Sequence, residues 1–494
     1  MEATCLSTSD SSLSPDESGG QWGAESSSTS VELLTELVPT SRDLLRATSA
    51  AVPLECFGAV LRECGGGNVA LGATRDLYSR SYCTEHFHEF WSHSWHGPVW
   101  PKVITLLFFY NSPAAIVVSF AAAAAGASLQ FLWATSTVQA HAGLLSFCPG
   151  CLGFFLTLAF WRSGRCVFLD SVCICQTDAD LKMKGIWSLG GFLRHSRSML
   201  ILWDPSYCSR LWCVFEQAAF FYLCTEDTSK HVYFRPTLQV TAWLMVFLTA
   251  CVNALIILAV RIFLGWSIVG MYSTALCIAL LVLAKPLRRI LREINMLPKQ
   301  LESFTMERAE CFCCTHGHRH PVTHDELPCD RLLVEASVRQ WFGSTERFSH
   351  FVRTHVRQLV GVQCEAPPYR MALLWAMPRL WWSLGFIARH LIMDDELVVL
   401  KHLVVDAYWT LFLAPLAVEA VARTVWCLRE SSSHCLMEAG KYGAVVLLGG
   451  LLDELNCIFV EYMKRPVHVG LMHATVGAGL CVATALVYGL RLFK

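Results

Sequence analysis

Two short apolar runs, 166–169 and 199–203, each close on an acid, Asp170 and Asp204. Between them lie a polar, glycine-containing turn and a helix-like stretch that ends at Arg197. Two buried-type strands separated by a helix predict a βαβ unit and hence a parallel sheet. Ligands of such sheets bind outside the carboxyl ends of the strands, so Asp170 and Asp204 are expected at that edge. A helix follows Asp204, and at 3.6 residues per turn it puts Trp212, Glu216, Ala219 and Leu223 on one stripe. Glu216 therefore stands inside an apolar stripe, where an unpaired carboxylate is costly. Either an arginine such as Arg210 pairs with it, or it is placed in a cleft for a purpose. Residues 231–236 read as a further strand.

Elsewhere the apolar runs are much longer. Segments 112–135 and 142–161 are each long enough to cross a bilayer. The linker 136–141 has no Lys or Arg, whereas Lys102, Arg162 and Arg165 flank the pair, so a hairpin with its tip outside is expected. Segments 237–263 and 267–284 make a second hairpin, and 371–388, 402–425, 442–459 and 467–490 are four more candidate spans, the first of them carrying Arg379. Eight crossings place both termini in the cytosol, together with the basic segment 285–370. Within that segment 329–360 is helical and amphipathic, broken at Trp341-Phe342-Gly343.

Composition agrees with a polytopic membrane protein that has soluble parts. Of 494 residues, 54% are hydrophobic and 16% charged, and mean hydropathy is +0.42; a soluble domain has about 25% charged residues. The net charge of −1 gives no electrostatic footprint for nucleic acid. The 23 cysteines are scattered through apolar and polar segments alike, which is not a secreted disulfide framework. Residues 1–50 are rich in Ser, Thr and acids and are expected to be disordered, with a short docking helix in 31–45. No cationic start precedes an apolar core, so no cleaved signal peptide is expected.

Tyr207, then Trp212-Cys213 five residues on, then Glu216 three beyond the cysteine, is a spacing that resembles the catalytic helix of TIR (Toll/interleukin-1 receptor) domains of the plant immune type. The strand closing on Asp170, the turn with Gly185 and the helix ending near Ser196 resemble that family's second strand, BB loop and second helix. The stretch Phe90-Trp91-Ser92-His93-Ser94-Trp95-His96 resembles its first strand and following loop, with 100–110 as the first helix. The resemblance covers about a quarter of the chain. The same SHSW and RLWC segments are similar to multi-pass membrane proteins predicted from algal genomes. The resemblance implies a flavodoxin-like parallel sheet, homo-oligomeric assembly and NAD as substrate. It casts Glu216 as catalyst, and His93, Trp95, Asp170, Gly185, Tyr207 and Trp212 as binding residues. The SHSW strand and the RLWC helix must then share one sheet, so an even number of crossings separates them. The family has five strands; here membrane follows the fourth, so the module is incomplete or completed from 329–360.

Cys311, Cys313, Cys314, His316, His318, His320, His324 and Cys329 are the densest Cys/His cluster, and zinc takes four such ligands in a tetrahedron. Cys148 and Cys151 form a CxxC to which no function is assigned. Asp406, Glu419, Asp453 and Glu454 fall in candidate spans, where ionisable groups line ion paths or pair with a cation. The expected architecture is α/β plus membrane all-α: a disordered Ser/Thr-rich N-terminal region 1–78; a TIR-like domain 79–236 interrupted by a transmembrane hairpin at 112–162; a transmembrane hairpin 237–284; a cytosolic Cys/His-containing segment 285–370; and a four-helix transmembrane region 371–494. The expected role is membrane signalling through TIR assembly and NAD cleavage, the alternative being an ion channel or transporter regulated by the TIR-like module.

Overall fold

The computed structural model describes residues 34–64, 77–132, 142–264, 285–364 except 320, 322 and 323, and 368–411 except 409, with short pieces beside these. The chain divides into two compact units. The first comprises Met1–Tyr110, Arg162–Leu238 and Asn295–Glu365, the second Asn111–Trp161, Gln239–Ile294 and Ala366–Lys494. Helices α1 (Ala51–Cys64), α4 (Ala179–Trp187), α5 (Leu189–His195) and α6 (Leu211–Glu226) belong to the first unit. So do α8 (Met296–Glu302), α9 (Asp330–Phe342), α10 (Thr345–Phe351) and α11 (Arg357–Cys364). The second unit holds α3 (Ala142–Phe160), most of α7 (Thr237–Leu264), α12 (Pro368–Ile392) and α13 (Glu396–Tyr408). Helix α2 (Val99–Leu132) is continuous across the boundary between the units.

The first unit is built on a six-stranded sheet of β1 (Arg46–Ser49), β2 (Tyr82–Cys83), β3 (Phe87–His93), β4 (Cys166–Phe168), β5 (Ser196–Trp203) and β6 (His231–Pro236). Its order is β2-β1-β4-β3-β5-β6. Strands β3 to β6 are parallel, as their apolar runs imply, but β1 pairs antiparallel with both β4 and β2. The sheet is therefore mixed, which corrects the expectation of a purely parallel one. Strands of four and two residues are too short to register as an alternating pattern. Residues 34–64, expected to lack structure, fold here: Leu34 and Leu37 are buried, and the Trp341 indole donates to the Thr35 carbonyl at 2.8 Å.

Taken alone, the parallel strands run second-first-third-fourth in chain order, as in an open doubly wound sheet. Nearly every side chain of β3 and β5 is buried, because helices cover both faces. Tyr110 of α2 accepts from the Trp91 indole at 2.8 Å on one face. On the other, Phe192 of α5 packs on Phe168, which stacks on Phe90. Alternation along β3 puts Phe90 and Ser92 together on that second face, beneath α6.

No fifth parallel strand stands beyond β6 among the described residues. Gln363 of α11 occupies the edge instead: its carboxamide accepts from the Phe234 amide at 2.8 Å and donates to the Val232 carbonyl at 2.7 Å. A side-chain amide thus satisfies backbone groups that a further strand would otherwise pair. Helix α9 packs on α6 through Trp341, which stacks on Tyr222 and meets Phe215. It ends at Gly343, φ 81°, where the sequence predicts a break.

In the second unit α2 and α3 pack as the expected hairpin. A Cβ at Gly126 would lie 2.0 Å from the Leu145 carbonyl oxygen, and one at Gly153 3.2 Å from Ala122. Small residues let the two backbones approach. Trp381 of α12 is fully buried among Phe120, Phe147, Phe154 and Phe247. Three described helices are long and apolar enough to cross a membrane: Val99–Leu132, Gly143–Phe160 and Thr237–Ile256. Among the described residues, three of the eight expected spans thus stand. The expected span at 371–388 forms as part of α12, which carries Arg379. Segments 267–284, 442–459 and 467–490 lie outside the described residues apart from scattered positions, and 402–425 does so beyond α13 for most of its length.

Candidate functional site

Strands β3, β4 and β5 end together, and side chains from the loops beyond them converge there. Ser92, the penultimate residue of β3, donates to Glu216 Oε2 at 2.5 Å. Its own oxygen lies 2.7 Å from the Tyr207 hydroxyl. A serine has one proton, so the phenol is the donor in that second bond. Tyr207 is fully buried, which pushes its pKa well above the ordinary value and keeps it protonated. Glu216 sits five residues into α6 and keeps partial solvent exposure. Burial pushes its carboxyl up to about 8; the Ser92 hydrogen bond opposes this and the charge of Asp170 adds to it.

Asp170 caps the other side of this corner. Its Oδ2 accepts from the Trp95 indole at 2.9 Å and its Oδ1 from the Ser171 amide at 2.7 Å. The Trp95 ring meets His93 edge-on, with centroids 4.3 Å apart. His93 is buried, and that burial, with the Lys102 charge, lowers its pKa to about 4, so it is neutral at pH 7. Its Nδ1 is buried without a hydrogen-bond partner. The Cys213 thiol of α6 lies 3.6 Å from the His93 carbonyl, tying α6 to β3.

Asp204 has a different setting. Its Oδ2 is 3.2 Å from Lys102 Nζ, and both side chains are almost inaccessible. Lys102 also donates to the carbonyls of Ser94 and Gly97, and Ser206 donates to Asp204 through its amide and hydroxyl. A Cβ at Gly97 would stand 2.0 Å from Asp204 Oδ2, so only glycine fits there. The pair locks the loop after β3 onto the loop after β5.

His93, Trp95, Asp170, Tyr207 and Glu216 are thus brought to one edge of the sheet. Gly185 and Trp212 are not joined to them. Gly185 lies inside α4 rather than in a turn, with Ile174 Cγ2 2.7 Å from where its Cβ would be, so it serves close packing. Trp212 donates to Asp330 Oδ2 at 3.2 Å, towards the Cys-rich segment. Ser92 and Lys102 are the members that the sequence reading passed over. The available signal for Ser92 was a small hydroxyl directly after the apolar pair Phe90-Trp91 in a mostly buried strand.

A second cluster lies in the same unit. Ligand atoms of Cys313, Cys314, His318 and Cys329 all lie within 4.8 Å of one another, close enough to hold a metal ion. Cys311, Cys313 and Asp330 form an overlapping group. His316 stands apart from both: it is exposed, with Nδ1 3.0 Å from the Phe312 carbonyl and its ring against Phe312. His324 is exposed and in neither group, and His320 lies outside the described residues. In the second unit Asp406 meets Arg379 at 3.2 Å and accepts from Ser383, which neutralises it. Glu419, Asp453 and Glu454 lie outside the described residues. No protein-family model, curated protein or solved structure matches this sequence.

Proposed function

We propose that the protein is a membrane signalling protein whose first unit is a TIR-type, flavodoxin-like module acting by self-assembly and by cleavage of NAD at Glu216. One observation carries this reading: a partly exposed glutamate at the carboxyl ends of a doubly wound sheet, held by the Ser92 hydroxyl on β3. In the reaction the glycosidic C–N bond of the nicotinamide riboside breaks. Its electron pair goes to the ring nitrogen, so the cationic pyridinium leaves neutral and needs no strong acid. The ribose becomes oxocarbenium-like, and an ionised Glu216 stabilises it until water adds to the anomeric carbon and gives up a proton. Neutral His93 and the Trp95 ring supply uncharged surface for the leaving base.

Strands β3 and β4 pair in one sheet, yet the α2–α3 hairpin separates them in sequence. This pairing supports a chain that returns to the side it left, and the positive flanks at Lys102, Arg162 and Arg165 favour the cytosol as that side. The channel reading has less behind it, since Asp406 is already paired with Arg379.

The test is NAD consumption by detergent-purified protein at high concentration, which favours assembly. Glu216→Gln keeps the shape and removes the charge, and a loss of about a hundredfold or more in rate is expected. Wild-type activity should rise with pH up to about 8, as Glu216 ionises. Equal NAD loss in wild type and variant removes Glu216 as the catalyst. No NAD loss in either, with self-assembly intact, leaves a scaffold only.

A further inference from the structure

We propose that Cys313, Cys314, His318 and Cys329 form a structural zinc centre that fastens the Cys-rich segment to the start of helix α6, the helix that carries Glu216. Zinc–thiolate bonds of about 2.3 Å set the edge of a tetrahedron at about 3.8 Å between sulfurs. The Cys314 and Cys329 sulfurs are 3.8 Å apart, and those of Cys313 and Cys314 are 4.0 Å apart. Cys311 is different, since its sulfur stands 3.0 Å from that of Cys313. That is too short for two ligands of one tetrahedral ion and too long for a disulfide of about 2.05 Å. With Cys313 bound as a thiolate, the Cys311 thiol is its hydrogen-bond donor and not a ligand itself. Three thiolates and one imidazole are a common structural zinc set.

The backbone is shaped to bring these four together. Gly317 and His318 both take positive φ, 61° and 60°. This turn folds residue 318 back, so that its amide donates to the Cys313 carbonyl at 2.7 Å. Histidine in that region is uncommon and is held there only where its surroundings over-determine it. The Leu327 amide then donates to the His318 carbonyl at 2.8 Å, and Arg319 bridges antiparallel to Glu326, returning the chain so that Cys329 meets Cys314. Most described residues from 315 to 328 are exposed, so the loop has little apolar core of its own to hold this shape. A metal staple supplies what burial does not.

Both ends of the loop grip α6. At the near end the Glu310 amide donates to the Ser209 carbonyl at 2.6 Å, and the Glu310 carbonyl accepts from the Leu211 amide at 3.1 Å, one of the orphan donors of the first turn of α6. At the far end Asp330, next to Cys329, accepts from the Trp212 indole. Closing the loop on a metal holds residues 310 and 330 together and so fixes where α6 begins.

Metal content decides the matter without any turnover, so this proposal can fail while the NAD reading stands, and the reverse. Full-length protein purified in detergent without chelator should carry about one zinc per chain by mass spectrometry. Cys329→Ser and His318→Ala should each lose most of it, while Cys311→Ser should retain it. Should those variants fold poorly, cobalt(II) added to metal-stripped wild type should give the thiolate charge-transfer and intense d–d bands of a tetrahedral site. Removing zinc should also raise hydrogen exchange in 211–216. No zinc together with no tetrahedral cobalt spectrum, a Cys314–Cys329 disulfide, or zinc retained by both Cys329→Ser and His318→Ala would overturn the centre. Zinc present with unchanged exchange in 211–216 would overturn its hold on α6.

Discussion

Asp204 and Glu216 stand at the same edge of one sheet and have opposite fates. Asp204 meets Lys102 at 3.2 Å, and neither side chain reaches solvent. Glu216 is held by a neutral hydroxyl, keeps partial exposure, and has its carboxyl pushed up to about 8. An acid neutralised by a buried cation holds a fold together at a fixed charge. An acid buried against neutral groups can change its charge near neutral pH, which is what a reaction centre needs. Asp406 with Arg379 repeats the first pattern in the other unit.

The strongest way to break the contrast is to give Asp204 the setting of Glu216. Lys102→Met leaves Asp204 buried without its cation and should cost ~3–5 kcal/mol in denaturant unfolding. Adding Asp204→Asn should recover most of that, since the cost comes from the stranded charge. A Lys102→Met protein as stable as wild type would show that the pair is not what holds the loops.

Glu216→Gln probes the other corner through pH. The folded carboxyl is raised from 4.5 to about 8, so the fold favours the protonated form. That contribution is full below pH 4.5, falls as pH rises, and is gone once pH passes about 8. Relative to wild type, the glutamine variant should therefore gain ~2–3 kcal/mol between pH 4.5 and pH 8.5, allowing for partial exposure. Thermal unfolding at both pH values reads this, and a pH-independent difference would sink it. The smallest effect is expected from Ser92→Ala. Ser92 holds the Glu216 pKa down, so its loss should move the pH midpoint of activity upward and cost ~1 kcal/mol of stability. A midpoint that stays put would mean that the Ser92 bond does not act on the charged form.

The parts legible in the sequence were those set by local pattern. The acid-terminated run at 166–169, strand His231–Pro236, the helix after Asp204 and the break at Gly343 all lie close to where periodicity and glycine put them. Glu216 was legible for the same reason, as a charge inside an apolar stripe. The strands β1 and β2 were not, because four and two residues hold no period. Gly185 was misread as a turn glycine, since composition does not distinguish freedom of φ from close packing on Ile174.

Residue order alone therefore determined the alternation of strand and helix, the long apolar segments and the identity of the chemically capable residues. Those properties depend on neighbours a few positions apart, within reach of one helical turn or one strand. Only the tertiary structure decided which acid meets a lysine and which meets a serine, because Lys102 and Asp204 are 102 positions apart and Ser92 and Glu216 are 124 apart. It also drew Cys313, Cys314, His318 and Cys329 together, by bringing Cys329 back to Cys314 across fifteen residues. Side-chain partners at such separations are set by how the layers pack, and packing is a property of the whole unit.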